Sequence, residues 1–444
     1  MTKDMTTGSP VRLILGFAFP LLGGMLFQQM YNLVDTMIVG RFLGVKALAG
    51  VGATGSINFL VLGFCMGICA GFSIPVAQSF GAQDEKRMRE FAANAIYLAA
   101  AFALVITSVT VLLCRQILTA MGTPLDCIDQ AYRYIVVIFA GIPFMVLYNL
   151  CSGFLRSLGD SRTPLYFLIL SSVLNVVLDL ILILNFRMGV MGASLATVIS
   201  QAISGLLCLG WIMWKVPVLH ISGDEWRVRP QRMLSLCGCG VPMGLQYSIT
   251  AIGSVILQTA VNSLGSVAVA AMTAAIKVLN FLACPFDALG STMATYGAQN
   301  VGAHHYERLD RGLLTASLIG FVYSAAALGV ACFFGENLTG LFVSGGEEEL
   351  IRLSHRYMVV QVAFYVPLTL VNVVRFMIQG MGYSGLAVIA GVLEMVARSF
   401  TGVFLVPVLG FTGVTLGSPL AWILADAFLI PAYFGCKRRL PGRI

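Results

Sequence analysis

The sequence predicts an all-α integral membrane protein of about twelve transmembrane helices, the number of spans its apolar length accommodates, in two six-helix pseudo-symmetric halves. Three observations predict this fold class: the composition, the spacing of the breaks, and an internal repeat. Of 444 residues, 58% are hydrophobic and 11% charged, with a mean hydropathy of +0.89. Soluble domains carry about 25% charged residues. A soluble fold of this size has too little interior to hide so much apolar surface, so lipid is the expected solvent. The net charge of +7 does not require nucleic acid, because membrane proteins collect Lys and Arg in cytoplasmic loops.

A span needs about 20 apolar residues. Charged or Gly/Pro-rich breaks divide the chain into runs near 13–39, 50–80, 93–114, 131–156, 164–186, 189–214, 235–263, 268–298, 312–334, 357–380, 385–407 and 412–435. Lys3 and Arg12 precede a first run too long for a signal peptide, so it is expected to stay as a helix. The second and eighth runs are long, which suggests tilt or a cytoplasmic extension.

The repeat shows as ordered matches at a near-constant offset. "AQSFGAQ" (77–83) returns as "AQNVGAH" (298–304), and "LYNLCSGFLRSLGDS" (147–161) as "LVNVVRFMIQGMGYS" (370–384). "GVMGASLATVIS" (189–200) returns as "GFTGVTLGSPLA" (410–421), and Pro20 as Pro242. The organisation is therefore an N-lobe (1–215), a polar, basic cytoplasmic linker (216–233) and a C-lobe (234–444). Six helices per copy is an even number. Both copies then enter the membrane the same way round, as in parallel-repeat transporters.

With the N-terminus inside, the inner segments hold Lys3, Arg12, the clusters at 86–89 and 227–232, and Lys437 to Arg443. The outer segments hold only Arg41, Lys46, Arg115, Arg133, Arg187, Arg352 and Arg356. That bias predicts both termini in the cytoplasm. The cysteines lie mostly in apolar runs and read as small packing residues. Cys237-Gly-Cys239 lacks a second pair or a nearby His, so no zinc site is expected.

Asp35 sits in an otherwise uncharged run between Arg12 and Arg41. A carboxylate at the centre of a membrane helix costs about 2.5–3.5 kcal/mol on insertion scales. Asp35 lies six residues before Arg41 and Asp179 eight before Arg187. At 1.5 Å per residue those are depths of about 9 and 12 Å from the outer boundary. Two acids on different helices thus share a depth in one repeat. Asn175 is one turn below Asp179 on the same face, and Asn149 and Thr197 could add oxygen ligands. Two such carboxylates cannot both ionise cheaply in a low dielectric. The group suits either a carried proton or a bound Na⁺, and the sequence leaves both open. Simple helix-to-helix bonding is the structural alternative, worth only about 0.6 kcal/mol on average.

Pro20, Gly23 and Gly24 lie below Asp35 in "FAFPLLGGML" and let the first helix bend; a static kink is the plain alternative. Met25, Phe27, Gln28 and Tyr31 are candidates to contact flat cationic substrates. In the second repeat, Glu394 and Arg398 replace Asn175 and Asp179, and Leu257 stands near the place of Asp35. Lys277, Asp287, Arg375, Glu394 and Arg398 are read as a buried charged network, in which Glu394 and Arg398 neutralise each other as an i,i+4 pair; a role in substrate binding or in closing the cavity is the rival reading. Asp426 is also read as buried. "AQSFGAQ" and "AQNVGAH" read as glycine-capped helix ends. The histidines read as solvated, with His355 near "GGEEEL" (345–350).

Pro20 followed by "VDTMIVG", the "AQ…GA" helix end, "LRSLGDSRTP" (155–164) and the Asn175–Asp179 pair resemble the MATE family of multidrug and toxic compound extrusion transporters, over nearly the whole chain. The similarity is closest to the DinF-like branch. The resemblance implies a V-shaped pair of lobes. It implies efflux of organic cations and other small-molecule drugs and toxins by alternating-access antiport with H⁺ or Na⁺. It places Asp35, Asn175 and Asp179, with Thr197 a looser match, at the coupling-ion site. It implies a monomer among the lipids of the cytoplasmic (plasma) membrane, with no cofactor, metal or nucleic acid. A lipid-linked oligosaccharide flippase of the same wider superfamily is the alternative. No HExxH, paired-Asp metal motif or nucleophile elbow marks an enzyme.

Overall fold

The computed structural model describes residues 4–123, 127–340 and 348–440. Lys3, Arg443 and residues 345–347 of the acidic loop, all used in the sequence reading, lie outside the described residues. Among the described residues there are helices and no strands.

Among the described residues, ten helices are long and apolar enough to cross a membrane, and counting each of two bent pairs as one span gives twelve. In order, the spans are Pro10–Leu43, Gly55–Gly81, Glu85–Leu112, Ile128–Ala140 with Ile142–Ser157, Arg162–Asn185 and Val190–Lys215. The second copy follows as Pro230–Asn262, Ser266–Gly302, Tyr306–Gly340, Glu348–Ala363 with Tyr365–Gly380, Ser384–Leu409 and Phe411–Arg439. They are called the first to twelfth spans below. The fourth and tenth are each bent, by 47° and 50°, so the repeat is visible in geometry as well as in letters. The fifth and eleventh also match, because each widens into one π turn, at Ile181–Asn185 and Thr401–Leu405.

Large apolar side chains cover the outside of the helices. Phe333, Val408 and Leu112 are 83%, 79% and 76% exposed. In water such a surface would aggregate; in lipid it is the solvated face.

Local chemistry sets the helix starts. The Asp84 carboxylate accepts the Arg87 backbone N–H at 2.9 Å and opens the third span. Asp160 accepts the N–H groups of Arg162 and Thr163, both at 3.0 Å, and opens the fifth. "LGDSRTP" is thus a helix-start motif. The glycine caps expected in "AQSFGAQ" and "AQNVGAH" are not what ends those helices. The helices run through Gly81 and Gly302, and the left-handed residues are Gln83 (φ 56°) and His304 (φ 60°). The motif's amides have a different use. Gln299 accepts the Met5 N–H at 2.8 Å, Asn300 donates to the Met5 carbonyl at 3.2 Å, and Arg308 donates to Asn300 at 3.0 Å.

The chain forms two compact units whose limits differ from the lobes read in the sequence. One unit contains Gly23–Gly244, and the other contains Met5–Leu22 and Leu245–Ile444. Each boundary falls inside the first helix of a repeat, just after Pro20 and Pro242 respectively. In the first unit, Gly67 and Gly71 of the second span meet the backbone of the seventh. A Cβ on Gly71 would stand 2.4 Å from Gly240 Cα, and one on Gly67 2.6 Å from the Met243 carbonyl oxygen. Small residues on both helices permit this backbone contact, the usual basis of helix association in lipid. It accounts for Gly240, beside Cys239, where a Cβ would meet the Phe72 ring at 2.6 Å. In the second unit, Phe286, Tyr323, Tyr365 and Trp422 form a chain of ring contacts 5.0 to 6.3 Å apart.

The basic linker is pinned to the third span rather than loose. Glu90 is buried and accepts from Arg229 at 3.1 Å and Arg232 at 3.2 Å. Arg89 donates to Glu225 at 2.8 Å, and Asn94 accepts the Arg229 N–H at 2.9 Å. Burial works against the Glu225 charge, but the Ser222 N–H and the Arg89 guanidinium outweigh it and hold this carboxyl below the usual range. Glu90→Gln leaves two guanidinium groups facing a neutral side chain. Both are about a third exposed, so the expected loss is about 1–2 kcal/mol, less than for a fully buried pair. The check is the thermal unfolding midpoint in detergent, and a midpoint equal to the parent's would show that the strap contributes nothing.

Two smaller readings need correction. His355 is not a solvated loop residue. It lies in the tenth span and contacts the ninth, 3.1 Å from the Ala331 carbonyl and against Gly335. Most cysteines are buried as expected, but Cys332 is exposed.

Candidate functional site

The site is built in the first unit from the first, fourth, fifth and sixth spans. Pro10–Leu43 is one unbroken helix with Pro20 inside it. Gly24 lets it close on the fifth span, where a Cβ would come 3.1 Å from Leu168 Cδ2; Gly23 has ordinary spacing, 3.8 Å from Leu165. That contact brings Asp35 alongside Asp179. Asp179 lies two residues before the π turn and has no exposed surface. The two carboxyl groups interact directly with each other. Neither oxygen of Asp179 receives a hydrogen bond, nor does Oδ1 of Asp35. Two facing acceptors attract only when a proton makes one of them a hydrogen-bond donor or a cation is coordinated between them.

The oxygens around the pair come from two further side chains. Asn175, 2% exposed, donates through Nδ2 to Thr197 Oγ1 at 3.2 Å, and its own carbonyl oxygen has no partner. Thr197 in turn donates to the Ala193 carbonyl at 3.2 Å. An amide turned this way keeps an acceptor uncommitted, which matches a site for a cation. Asn149 is placed differently: its Nδ2 donates to Met145 of its own helix at 2.9 Å.

One residue escaped the sequence reading. Tyr134, 8% exposed in the Ile128–Ala140 segment of the bent fourth span, interacts electrostatically with Asp35, Asp179 and Tyr31. The bend that places it closes at Gly141, where a Cβ would overlap Val198 Cγ2 at 2.3 Å. The sequence signal was a lone polar-tipped ring in an apolar run, which is too common to single out. Tyr31 itself neighbours Asp35, with Gln28 against it. Met25 is half-buried and Phe27 is 42% exposed.

The charged network expected in the second repeat exists in part. Arg375 and Arg398 both bond to Glu394, which is 3% exposed. The i,i+4 partner Arg398 is the looser of the two, at 3.4 Å, while Arg375 from the tenth span makes the tighter contact. Asp287 and Asp426 interact electrostatically with Arg375. Asp426 is buried, but Lys277 and Asp287 are exposed on the eighth span, contrary to the buried positions expected for them. Helical spacing places a residue along its helix but does not say which face turns inward.

A family model described as MatE matches the chain twice, over residues 20–181 and 242–404. The chain is 28% identical over 372 residues to a probable multidrug resistance protein, YoeA, of Bacillus subtilis strain 168, covering 82% of this chain and 80% of that protein. It is 22% identical to the multidrug export protein MepA of Staphylococcus aureus strain MSSA476, covering 96% and 87%. Among solved structures, an outward-facing multidrug resistance MATE transporter superposes with a TM-score of 0.91 at 22% identity, covering 99% of this chain and 97% of that one; at that identity the match speaks for the fold. The double match coincides with the two repeats, and members of the family are transporters rather than enzymes. The chain belongs to the MatE family, the multidrug and toxic compound extrusion transporters.

Proposed function

We propose that this protein is a secondary active exporter of amphipathic organic cations, driven by antiport of H⁺ or Na⁺ through the Asp35–Asp179 pair. The observation that carries this reading is the fully buried Asp179. Both of its oxygens lack a donor, and a second carboxylate is its neighbour. Such an arrangement is costly in a membrane helix and is relieved by a cation. Asn175 and Thr197 supply neutral oxygens beside it.

The cycle follows from differential affinity, since an ion can drive a change only if it binds two states unequally. With the pair neutralised from outside, the first helix bends near Pro20, the pocket beside Tyr31 and Phe27 narrows, and the drug leaves. With the pair emptied toward the cytoplasm, the pocket accepts a new drug. Pro20 inside the first helix, which removes one helix hydrogen bond, supports a bend at this level. The location is the cytoplasmic membrane, as a monomer with both termini inside, in keeping with the distribution of Lys and Arg.

The test is ethidium export from proteoliposomes under an imposed pH gradient or an imposed sodium gradient. At least one gradient is expected to drive export, and the active one identifies the coupling ion. Export indifferent to both gradients would overturn the antiport reading. A lipid-linked oligosaccharide flippase would instead move labelled lipid and leave ethidium in place.

A further inference from the structure

The second unit contains a cavity of about 300 Å³ that the acidic pair does not use. Its walls include Arg398, Tyr357, Tyr365, Trp422, Gln258 and Gln361. Leu257 also lines it. By the internal repeat, Leu257 stands near the place of Asp35, and Arg398 lies on the matching eleventh span within about one helical turn of the place of Asp179. The bent fourth and tenth spans align Tyr134 with Tyr357, and Tyr357 interacts with Arg398 as Tyr134 does with the acids. The cavity is therefore the counterpart of the acidic site with its polarity inverted.

The charges support this. Glu394 makes its tighter contact with Arg375. The Arg398 contacts, to Glu394 and to the Thr250 carbonyl, are both 3.4 Å, at the long end for a hydrogen bond. Asp287 and Asp426 interact with Arg375, and neither they nor Glu394 line the cavity. The only charged side chain on the wall among the described residues is a loosely held guanidinium. A guanidinium binds carboxylate through a planar fork, and aromatic walls stack flat rings. The volume sits at the lower end for small-molecule sites, which limits the ligand to one or two rings.

We propose that this cavity of the second repeat is a separate binding site for small aromatic anions, with Arg398 holding the anionic group and Tyr357, Tyr365 and Trp422 holding the ring. It does not depend on the acidic pair, and its test reads binding rather than transport.

Trp422 is the reporter. The protein's other tryptophans are Trp211, Trp214 and Trp226, all outside the second unit, and are replaced by Phe. The full chain in lipid nanodiscs is titrated with 4-nitrobenzoate, a tryptophan quencher, and with the neutral 4-nitrobenzamide and cationic 4-nitrobenzylammonium. Saturable quenching by the benzoate is expected, with apparent affinity at least about tenfold above the other two, the scale of a charged hydrogen bond. Arg398→Gln should erase that preference. Ser254→Asp, which adds a carboxylate at an exposed lining position and leaves the ion pairs intact, should weaken the benzoate by a similar factor. It keeps the question open to an answer if Arg398→Gln does not fold. Non-saturating quenching, equal quenching by all three probes, or benzoate affinity unchanged in whichever variants fold would each overturn the proposal.

Discussion

Asp179→Asn is expected to lose drug efflux while keeping its fold. Asparagine matches the carboxyl in size and replaces an orphan acceptor with a group that brings its own donor, so the buried position loses an uncompensated charge. Expression and thermal stability should equal or exceed the parent's. What is lost is the difference between charged and neutralised forms that couples ion to drug. A coupling free energy of 1–3 kcal/mol corresponds to about a 5- to 150-fold effect, and efflux should fall by at least about tenfold. Asp35→Asn should behave alike, and the double variant should be no worse than either single, because one shared device is removed in each case. Ethidium export in cells lacking their own pumps measures it. Parental export by either single variant would mean the acids only hold helices together.

The second large effect concerns stability and lies in the other repeat. Glu394→Gln leaves Arg375 and Arg398, 5% and 7% exposed, without the carboxylate that both contact. Breaking a buried charge network by removing one member costs about 3–5 kcal/mol, enough to reduce yield and lower the unfolding midpoint sharply. Replacing the whole triad, with Arg375→Met, Glu394→Leu and Arg398→Met together, should recover most of that loss, because no charge is then left unpaired. If the triple variant is as unstable as Glu394→Gln, the defect is one of packing and not of charge.

Much of this was legible in the sequence because lipid makes the code simple. Apolar length gives the spans, and charge is rare enough that each buried acid stands out. Asp35 and Asp179 could be paired by counting residues from the boundary, since both spans run the same way and helical rise converts number to depth. Position around the helix is harder. Depth alone placed Lys277 and Asp287 among the buried groups, whereas both keep exposed surface on the eighth span. Partners on distant segments were also hidden. Nothing local marks Arg375 as the closer partner of Glu394, Tyr134 as a neighbour of the acids, or Gly71 as the seat for Gly240. Each depends on a bend or a crossing that only the assembled helices define. The helix ends misled for a similar reason: glycine is the expected left-handed residue, but Gln83 and His304 take that conformation.

The most direct measurement is ion release on drug binding by the purified protein, followed with a pH indicator in weak buffer and with radioactive sodium in parallel. Binding of ethidium should expel protons or sodium from the parent, and the Asp35→Asn/Asp179→Asn protein should expel neither even at ethidium concentrations that saturate it. Equal release from both proteins would place the coupling ion elsewhere and contradict the account.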